Sequence, residues 1–269
     1  MDIVTSVILG LVQGITEFLP VSSSGHLVLV QDLLNVSEVN ELAMSAILHL
    51  ATTLAVIVYF WRDLWVLVQT AMRKLGRLPV NEKDLTMLYA LMAGTIPAVI
   101  LGLLLEPVFD KYLNSALMVA IGLFFGAIFF MYAEWQYYLN PPQGQLTVRR
   151  GLLVGLFQAL ALIPGLSRSG TTLAGGMLIG LSRYESARFS FLLAIPITLG
   201  LGFKKLLDLI VFDGEAQWGM ILVGAVVSFV SAIIVIHFFL AFIRRYTLWP
   251  FIWYTLILSM LVFYVVFFV

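Results

Sequence analysis

Two short polar clusters interrupt a chain that is otherwise strongly apolar, and both hold residues able to do chemistry. The first is EFLPVSSSGH at residues 17–26, and the second is IPGLSRSG at residues 163–170. In the first cluster, the carboxylate of Glu17, the hydroxyl of Ser23 and the imidazole of His26 could act as orienting or metal-binding group, nucleophile and proton handler. The alternative is purely structural, with serines that cap a helix and a histidine that makes a buried hydrogen bond.

Arg168 in the second cluster is the candidate for binding an anion. A guanidinium grips phosphate with two parallel hydrogen bonds, and glycines let the N–H groups of a helix N-terminus approach an oxyanion. An arginine that only caps backbone carbonyls would not require flanking serines and glycines. The neighbours expected to contact phosphate oxygens in the two clusters are Ser22, Ser24, Gly25, Ser167, Ser169, Gly170 and Thr172.

The composition identifies the surroundings of these clusters as a membrane. Hydrophobic residues make up 61% of the chain and charged residues 11%, which is typical of polytopic membrane proteins. The 15 basic and 15 acidic residues leave no net field that would attract nucleic acid. The absence of cysteine excludes disulfides, thiolate metal sites and thiol nucleophiles. We expect one membrane domain over residues 1–269, with its MDIVTSVILG start retained rather than removed as a signal peptide.

The elements that must position the clusters are transmembrane helices. Six segments are long and apolar enough to span, at about 42–60, 85–105, 116–138, 189–207, 219–243 and 249–269. Around residues 3–34 and 151–181 the apolar sequence is broken by Pro, Gly and Ser, which indicates re-entrant pairs of half-helices. The predicted fold class is therefore an all-α polytopic membrane protein.

The two broken segments are related by an internal repeat. A shift of 145 residues superposes Ser22-x-Ser24-Gly25 on Ser167-x-Ser169-Gly170, and it carries Gln13 onto Gln158. Each repeat, at about 1–138 and 146–269, would hold one re-entrant pair and three spans. Because three is an odd number of crossings, the second repeat is inverted relative to the first. Such folds bring half-helix N-termini to an anion near the midplane.

The distribution of basic residues predicts the orientation. One face receives Arg62, Arg73, Lys74, Arg77, Lys83, Arg149, Arg150, Arg183, Arg188, Arg244 and Arg245, and the other receives only Lys111, Lys204 and Lys205. Both termini and the mouth of the first re-entrant pair should then lie outside. Arg168 falls at membrane depth, where a charge is costly and usually functional.

Other polar residues in the spans have weaker claims to function. His49 matches Ala194 in the repeat, and we favour a satisfied interhelical hydrogen bond for it. We interpret His237 and Glu134 similarly, and Gln158 less so because it pairs with Gln13 in the repeat. The roles of His49 and His237 are left open.

At these residues the sequence resembles the undecaprenyl-pyrophosphate phosphatases, the bacitracin-resistance membrane phosphatases, over essentially the whole chain. The signatures that carry the resemblance are QGITEFLPVSSSGH at residues 13–26 and PGLSRSGTT at residues 164–172. The family's acidic motif allows Glu or Gln at its first position, and this chain has Gln13. That choice makes Gln13 a weak metal ligand and leaves Glu17 as the main one.

The resemblance implies the reaction and its setting. The expected substrate is a polyprenyl pyrophosphate, cleaved to undecaprenyl phosphate and inorganic phosphate with Mg²⁺ or Ca²⁺ as the cofactor. The site would open at the outer face of the bacterial inner membrane, so that the lipid carrier is recycled for cell-wall synthesis. Membrane lipids are expected partners, and a homodimer is compatible with this architecture.

Two alternatives differ in class. Inverted repeats with broken helices also occur in secondary transporters, so a carrier or lipid flippase for phosphorylated anions competes with the enzyme. Its weakness is that the Glu17 carboxylate would repel an anion unless a metal or proton intervened. The other lipid-phosphatase superfamily expects a histidine soon after Ser-Arg, and residues 169–179 contain none.

Overall fold

A computed structural model of the protein describes residues 2–112, 115–142, 144–211 and 217–268, and all regular structure in those ranges is helical. Met1 and Val269, the terminal residues whose side of the membrane was predicted, lie outside the described residues. The helices are α1 Ile3–Thr16, α2 Ser23–Leu33, α3 Glu38–Tyr59, α4 Trp61–Leu75, α5 Glu82–Tyr112, α6 Ala116–Leu139, α7 Val148–Leu160, α8 Arg168–Leu178, α9 Arg183–Val211, α10 Trp218–Ile243 and α11 Trp249–Phe268.

Five candidate spans are each long and apolar enough to cross a membrane, and they fall within α5, α6, α9, α10 and α11 of the described helices. The sixth predicted span, about 42–60, falls in α3. Its Ala43–Tyr59 part is followed after one residue by α4, and the two helices are bent by 77°. The helix α4 carries charged residues at both ends, with Asp63 in its first turn and Arg73 in its last. Counted as one bent unit, the α3–α4 pair brings the number of candidate spans to six.

Both regions predicted to be broken form pairs of short helices. Residues 17–22 separate α1 from α2, and residues 161–167 separate α7 from α8. None of these four helices exceeds 14 residues, which is fewer than the roughly 20 that a span requires. The first helix of each pair packs against a helix of the other half of the chain, α1 on α10 and α7 on α5.

The helix boundaries follow the 145-residue shift. The starts of α1 and α7, of α2 and α8, and of α3 and α9 are all separated by that number. Two equivalent residues meet directly, since the hydroxyl of Thr53 donates to the hydroxyl of Thr198 at 2.7 Å. The contacts of α1 and α7 also match, because Gly10 lies against Gly224 and Gly155 against Gly94. These equivalences support the repeat, while its boundaries and its inversion across a membrane stay predictions.

A buried ion pair holds α6, α9 and α11 together. Glu134 is 3% exposed and accepts from Arg183 Nε at 3.0 Å and Nη2 at 2.5 Å. The same carboxylate accepts from the backbone N–H of Leu248 at 2.6 Å, just before α11 begins. Glu134 therefore has a structural role. His237 lies 3.3 Å from the hydroxyl of Tyr59, whereas both amide atoms of Gln158 are buried with no partner among the described residues.

Candidate active site

Glu17 is the centre of the polar cluster formed by the two broken segments. It follows the last residue of α1, and its side chain is 4% exposed. Its Oε2 accepts from Ser23 Oγ at 2.6 Å and from Gln13 Nε2 at 2.9 Å. Its Oε1 accepts from Arg168 Nη2 at 2.5 Å. Gln13 and Glu17 meet because residues four apart lie on one face of a helix.

Ser23 and Arg168 reach Glu17 from equivalent positions in the repeat. Each is the first residue of its helix, Ser23 in α2 and Arg168 in α8, and they are 145 residues apart. The caps before them are also equivalent, since Ser22 Oγ accepts from the N–H of Gly25 and Ser167 Oγ accepts from that of Gly170. The pairing of the two broken segments thus sets a hydroxyl and a guanidinium against one carboxylate.

The other predicted phosphate contacts of the second cluster are engaged within the fold. The hydroxyls of Ser167 and Ser169 lie 3.0 Å apart, and Ser169 also donates to the carbonyl of Leu19 at 2.9 Å. Thr172 donates to the carbonyl of Arg168 at 2.7 Å and contacts the hydroxyl of Ser190. These bonds fix the second loop to the first and hold the start of α8, so their visible role is to position Arg168.

The two predicted glycines serve close packing. A Cβ on Gly170 would lie 2.2 Å from the ring of Phe130, and one on Gly25 would lie 3.1 Å from Val119. Their N–H groups donate to the capping serines. Ser24 is exposed and lies 3.4 Å from the buried hydroxyl of Ser22.

His26 lies outside the group that contacts Glu17. Its Nδ1 is 2.8 Å from the carbonyl of Ser22, and because a carbonyl only accepts, that nitrogen carries the proton in the neutral ring. Its Nε2 is 2.7 Å from the hydroxyl of Tyr254 on α11, and the two rings are stacked. Both ring nitrogens of His26 are therefore engaged. The residue to which Ser23 donates its proton is Glu17.

His49 is the imidazole that approaches Glu17. Its Nε2 lies 3.9 Å from Glu17 Oε2, and its Nδ1 hydrogen-bonds the carbonyl of Ser45 one turn earlier in α3 at 2.7 Å. The sequence suggested an interhelical hydrogen bond for His49. The bond found is within its own helix, and the contact across helices is the longer one with the carboxylate.

Two atoms of the cluster are buried and have no partner among the described residues, Arg168 Nη1 and Gln13 Oε1. An unsatisfied buried polar atom is costly, and here each is of the type that a phosphate or a cation would satisfy. The oxygens of Gln13 and Glu17 suit a hard cation such as Mg²⁺ or Ca²⁺. The described residues contain no group of three His, Cys, Asp or Glu able to hold a metal, so most ligands would have to come from substrate and water.

The arrangement brings together a nucleophile, a carboxylate that can accept its proton and a donor that can bind an anion. Ser23 supplies a hydroxyl whose proton already points at a carboxylate, which is the geometry of an activated nucleophile. Arg168 supplies an unused N–H donor beside it. Transfer of a phosphoryl group needs mainly such positioning and charge stabilisation.

Sequence reasoning identified the core of the site and missed two partners. Tyr254 was not singled out, because it lies 228 residues from His26 and nothing local indicates the pairing. His49 was weighed as structural, although its replacement by Ala194 in the repeat was a signal that it serves one half only.

Comparison with known proteins gives consistent matches over nearly the whole chain. The family described as "Bacitracin resistance protein BacA" matches residues 6–261. The chain is 40% identical over 263 residues to the undecaprenyl-diphosphatase of Micrococcus luteus, covering 96% of this chain and 95% of that protein. It is 38% identical over 268 residues to the undecaprenyl-diphosphatase of Alteromonas mediterranea, covering 99% of this chain and 100% of that protein. The undecaprenyl-diphosphatase 1 of Pseudoalteromonas translucida is 37% identical over 96% of this chain.

Proposed function

The chain belongs to the bacitracin resistance protein BacA family, and we propose that it is a membrane phosphatase that hydrolyses undecaprenyl pyrophosphate to undecaprenyl phosphate and inorganic phosphate. The observation that carries the proposal is the group around Glu17, in which a serine hydroxyl and an arginine meet one buried carboxylate. Its placement between apolar helices suits a substrate whose pyrophosphate is attached to a polyprenyl chain.

Each residue of the group has a role in the proposed reaction. Arg168 binds the terminal phosphate through Nη1, and Ser23 Oγ attacks the terminal phosphorus while its proton passes to Glu17. The bond from that phosphorus to the bridging oxygen breaks, and undecaprenyl phosphate leaves. Water then gives its hydroxyl to phosphorus and a proton to Ser23, which releases inorganic phosphate, and the proton on Glu17 passes to solvent.

We also propose that a divalent cation, Mg²⁺ or Ca²⁺, takes part. Glu17 and the unpartnered Oε1 of Gln13 would hold it, and substrate oxygens would complete its shell. When bound, the ion would neutralise the charge of the pyrophosphate and relieve its repulsion with Glu17.

The proposal includes the location of the protein in the cell. We place the protein in the bacterial inner membrane with its site open to the outer face and both termini on that side. There it would recycle the lipid carrier of cell-wall synthesis, in contact with membrane lipids. A homodimer remains compatible with this placement.

The test is release of inorganic phosphate from farnesyl pyrophosphate by the purified full-length protein in detergent. No closed compartment is present in detergent, so phosphate release reports hydrolysis and not transport. We expect Ser23→Ala to abolish turnover while substrate still binds, because the attacking oxygen is lost and Arg168 remains. The matched control is Ser37→Ala in the loop before α3.

Two results would contradict these assignments. Absence of phosphate release by the unmodified protein would contradict the proposed phosphatase activity. If Ser23→Ala turned over substrate about as fast as Ser37→Ala, the phosphatase activity would stand. The nucleophile would then be a water molecule or another side chain.

A further inference from the structure

An apolar groove along α10 is lined at one end by a pair of arginines. The groove has a volume of about 770 Å³ and is formed by side chains of α10, by Phe251 of α11 and by Leu19 of the first broken segment. Arg244 and Arg245 also line it, and they follow the last residue of α10. None of the described residues that line the groove is acidic. The groove therefore combines an apolar surface with two positive charges.

The apolar part of the groove has the length of one membrane leaflet. Ile234 and Phe238 line it and are 49% and 67% exposed, so they do not belong to the core. Beside them the ring of Phe251 lies 5.5 Å from that of Phe239. The ten residues from Ile234 to Arg244 advance about 15 Å along the helix, which is half of the roughly 30 Å hydrocarbon core of a bilayer. A single lipid chain in one leaflet would cover this length.

The arginines are placed so that they can bind an anion. The guanidinium carbon of Arg244 lies 4.0 Å from the centre of the Tyr184 ring, which covers one flat face of the group. A stacked guanidinium still presents the N–H groups at its edge to phosphate. Both arginines are exposed, and neither belongs to an ion pair among the described residues. A cation here also suits the last carbonyls of α10, but that role does not require a groove.

The groove reaches the loop between α1 and α2. Helix α1 runs alongside α10 in the same direction, since a Cβ on Gly10 would lie 2.4 Å from the carbonyl oxygen of Gly224 and one on Gly14 would lie 2.0 Å from Ser231 Oγ. Leu19 follows Gly14 by five residues, so it contacts the groove before α10 arrives at its arginines. A chain bound in the groove would end against this loop, with its headgroup at the opposite end.

We propose that the groove is a binding site for one anionic phospholipid, with the lipid phosphate at Arg244 and Arg245 and an acyl chain along α10. Basic pockets between transmembrane helices bind the headgroups of anionic lipids in this way. A free phosphate would use the arginines and leave the groove uncovered, and an uncharged lipid would do the reverse. The assignment does not depend on the proposed hydrolysis at Arg168.

The experiment measures binding of phosphatidylglycerol to the purified full-length protein in detergent by native mass spectrometry. The double variant Arg244→Gln, Arg245→Gln removes the charge from the groove. Its matched control is Arg73→Gln, Lys74→Gln, which removes two exposed basic residues from the last turn of α4. We expect the first double variant to weaken binding about 30-fold, since each basic residue contributes about fivefold to the binding of an anionic lipid. The control should change binding little.

A second pair of variants tests the groove itself. Ala241→Trp places a large ring among the lining residues and keeps both arginines. Val226→Trp is the matched control, because Val226 is 63% exposed on the same helix and does not line the groove. We expect only Ala241→Trp to weaken binding. Inorganic phosphate, which has no chain, and diacylglycerol, which has no phosphate, should each compete poorly with phosphatidylglycerol.

Each comparison has a result that would overturn the assignment. Equal affinities of the two double variants would show that basic residues attract the lipid without a specific site. Equal affinities of the two tryptophan variants would exclude the groove, and this pair still decides if the arginine variant does not fold. Strong competition by inorganic phosphate or by diacylglycerol would replace the phospholipid with a free anion or an uncharged lipid. Because binding is read without turnover, these results are separate from those that test the phosphatase.

Discussion

At the scale of single residues, the charge on Glu17 is balanced before any substrate arrives. An ionised carboxylate that is 4% exposed would be strongly destabilising without partners, and Arg168 supplies the compensating charge. A substrate phosphate must then share the guanidinium with Glu17. The unused Nη1 of Arg168 allows this without breaking the existing pair. A lysine could neutralise Glu17 but could not present a second, rigidly oriented nitrogen to phosphate.

The role of His26 gives a prediction at the same scale. Its Nδ1 bonds the carbonyl of Ser22, whose φ of 69° is unusual for a residue other than glycine. That bond holds the strained residue next to Ser23. Because the amide nitrogen of asparagine can occupy the position of Nδ1, His26→Asn should keep much of the activity. His26→Ala should lower kcat by up to about tenfold, because the Ser22 carbonyl would keep only its 3.2 Å bond from the backbone N–H of residue 26 and would lose a hydrogen bond worth about 0.5–1.5 kcal/mol. Phosphate release by the two variants is the measurement.

The two substitutions separate positioning from proton transfer. Asparagine cannot exchange a proton as imidazole does, so equal loss in both variants would support the proton-handling role that the sequence suggested for His26. Tyr254→Phe serves as the companion variant, because it leaves Nδ1 and its bond to Ser22 in place.

The core of the site was open to prediction from sequence, and its surroundings were not. Glu17, Ser23 and Arg168 stand out because a charge or a hydroxyl cluster in an apolar chain needs a partner, and the repeat shows which segments meet. The neighbours of His26 and His49 depend on how α11 and α3 pack. A single sequence does not contain that information when the partner lies 228 residues away, as Tyr254 does from His26.

At the scale of helices, glycine contacts place the two broken segments. A Cβ on Gly155 of α7 would lie 2.2 Å from the carbonyl oxygen of Gly94 on α5, and one on Gly10 of α1 would lie 2.4 Å from that of Gly224 on α10. Small residues let helix backbones approach closely, and this is a main source of packing energy inside membranes. Because α7 leads into α8, its distance from α5 also sets the position of Arg168.

We therefore predict that Gly155→Ala lowers both stability and activity. The added methyl group has no space, and overpacking of this kind typically costs about 1–3 kcal/mol. Gly200→Ala is the matched control, because a Cβ at Gly200 meets nothing within 4 Å. The measurements are the thermal midpoint of the purified protein in detergent and phosphate release. A Gly155→Ala protein as stable and as active as Gly200→Ala would show that the contact between α5 and α7 is not needed.

The helices that could be predicted from the sequence have distinctive residue types at their ends, and the helix that was not predicted lacks them. The broken segments were predictable because Pro, Gly and Ser are rare inside spans and occur together there. The separate helix α4 was not predicted, because its 15 residues are too few and include too many charges to resemble a span. The 77° bend at Phe60 depends on packing as well as on sequence.

At the scale of the whole molecule, the two halves differ in a way that favours an enzyme over a carrier. Alternating access uses two equivalent routes to a central site. In this chain the ring of Phe60 packs against Phe191, which packs against Phe18, whereas the matching residue in the other half, Lys205, donates to Ser45. A repeat that has lost equivalence at these positions suits a site that opens on one side only.

Which side that is can be tested by labelling, because the chain contains no cysteine. Asn81 and Ser115 are exposed residues at opposite ends of α5, so they must lie on opposite sides of a membrane that α5 crosses. Arg73, Lys74, Arg77 and Lys83 surround Asn81 in sequence, and such clusters stay in the cytoplasm. A cysteine in Ser115→Cys should therefore react with an impermeant thiol reagent added to intact spheroplasts, whereas one in Asn81→Cys should react only after permeabilisation. With the orientation that the basic residues predict, this result would place the mouth of the first re-entrant pair at the outer face, where phosphate could leave without crossing the membrane. The reverse labelling would put that opening in the cytoplasm and would contradict recycling at the outer face.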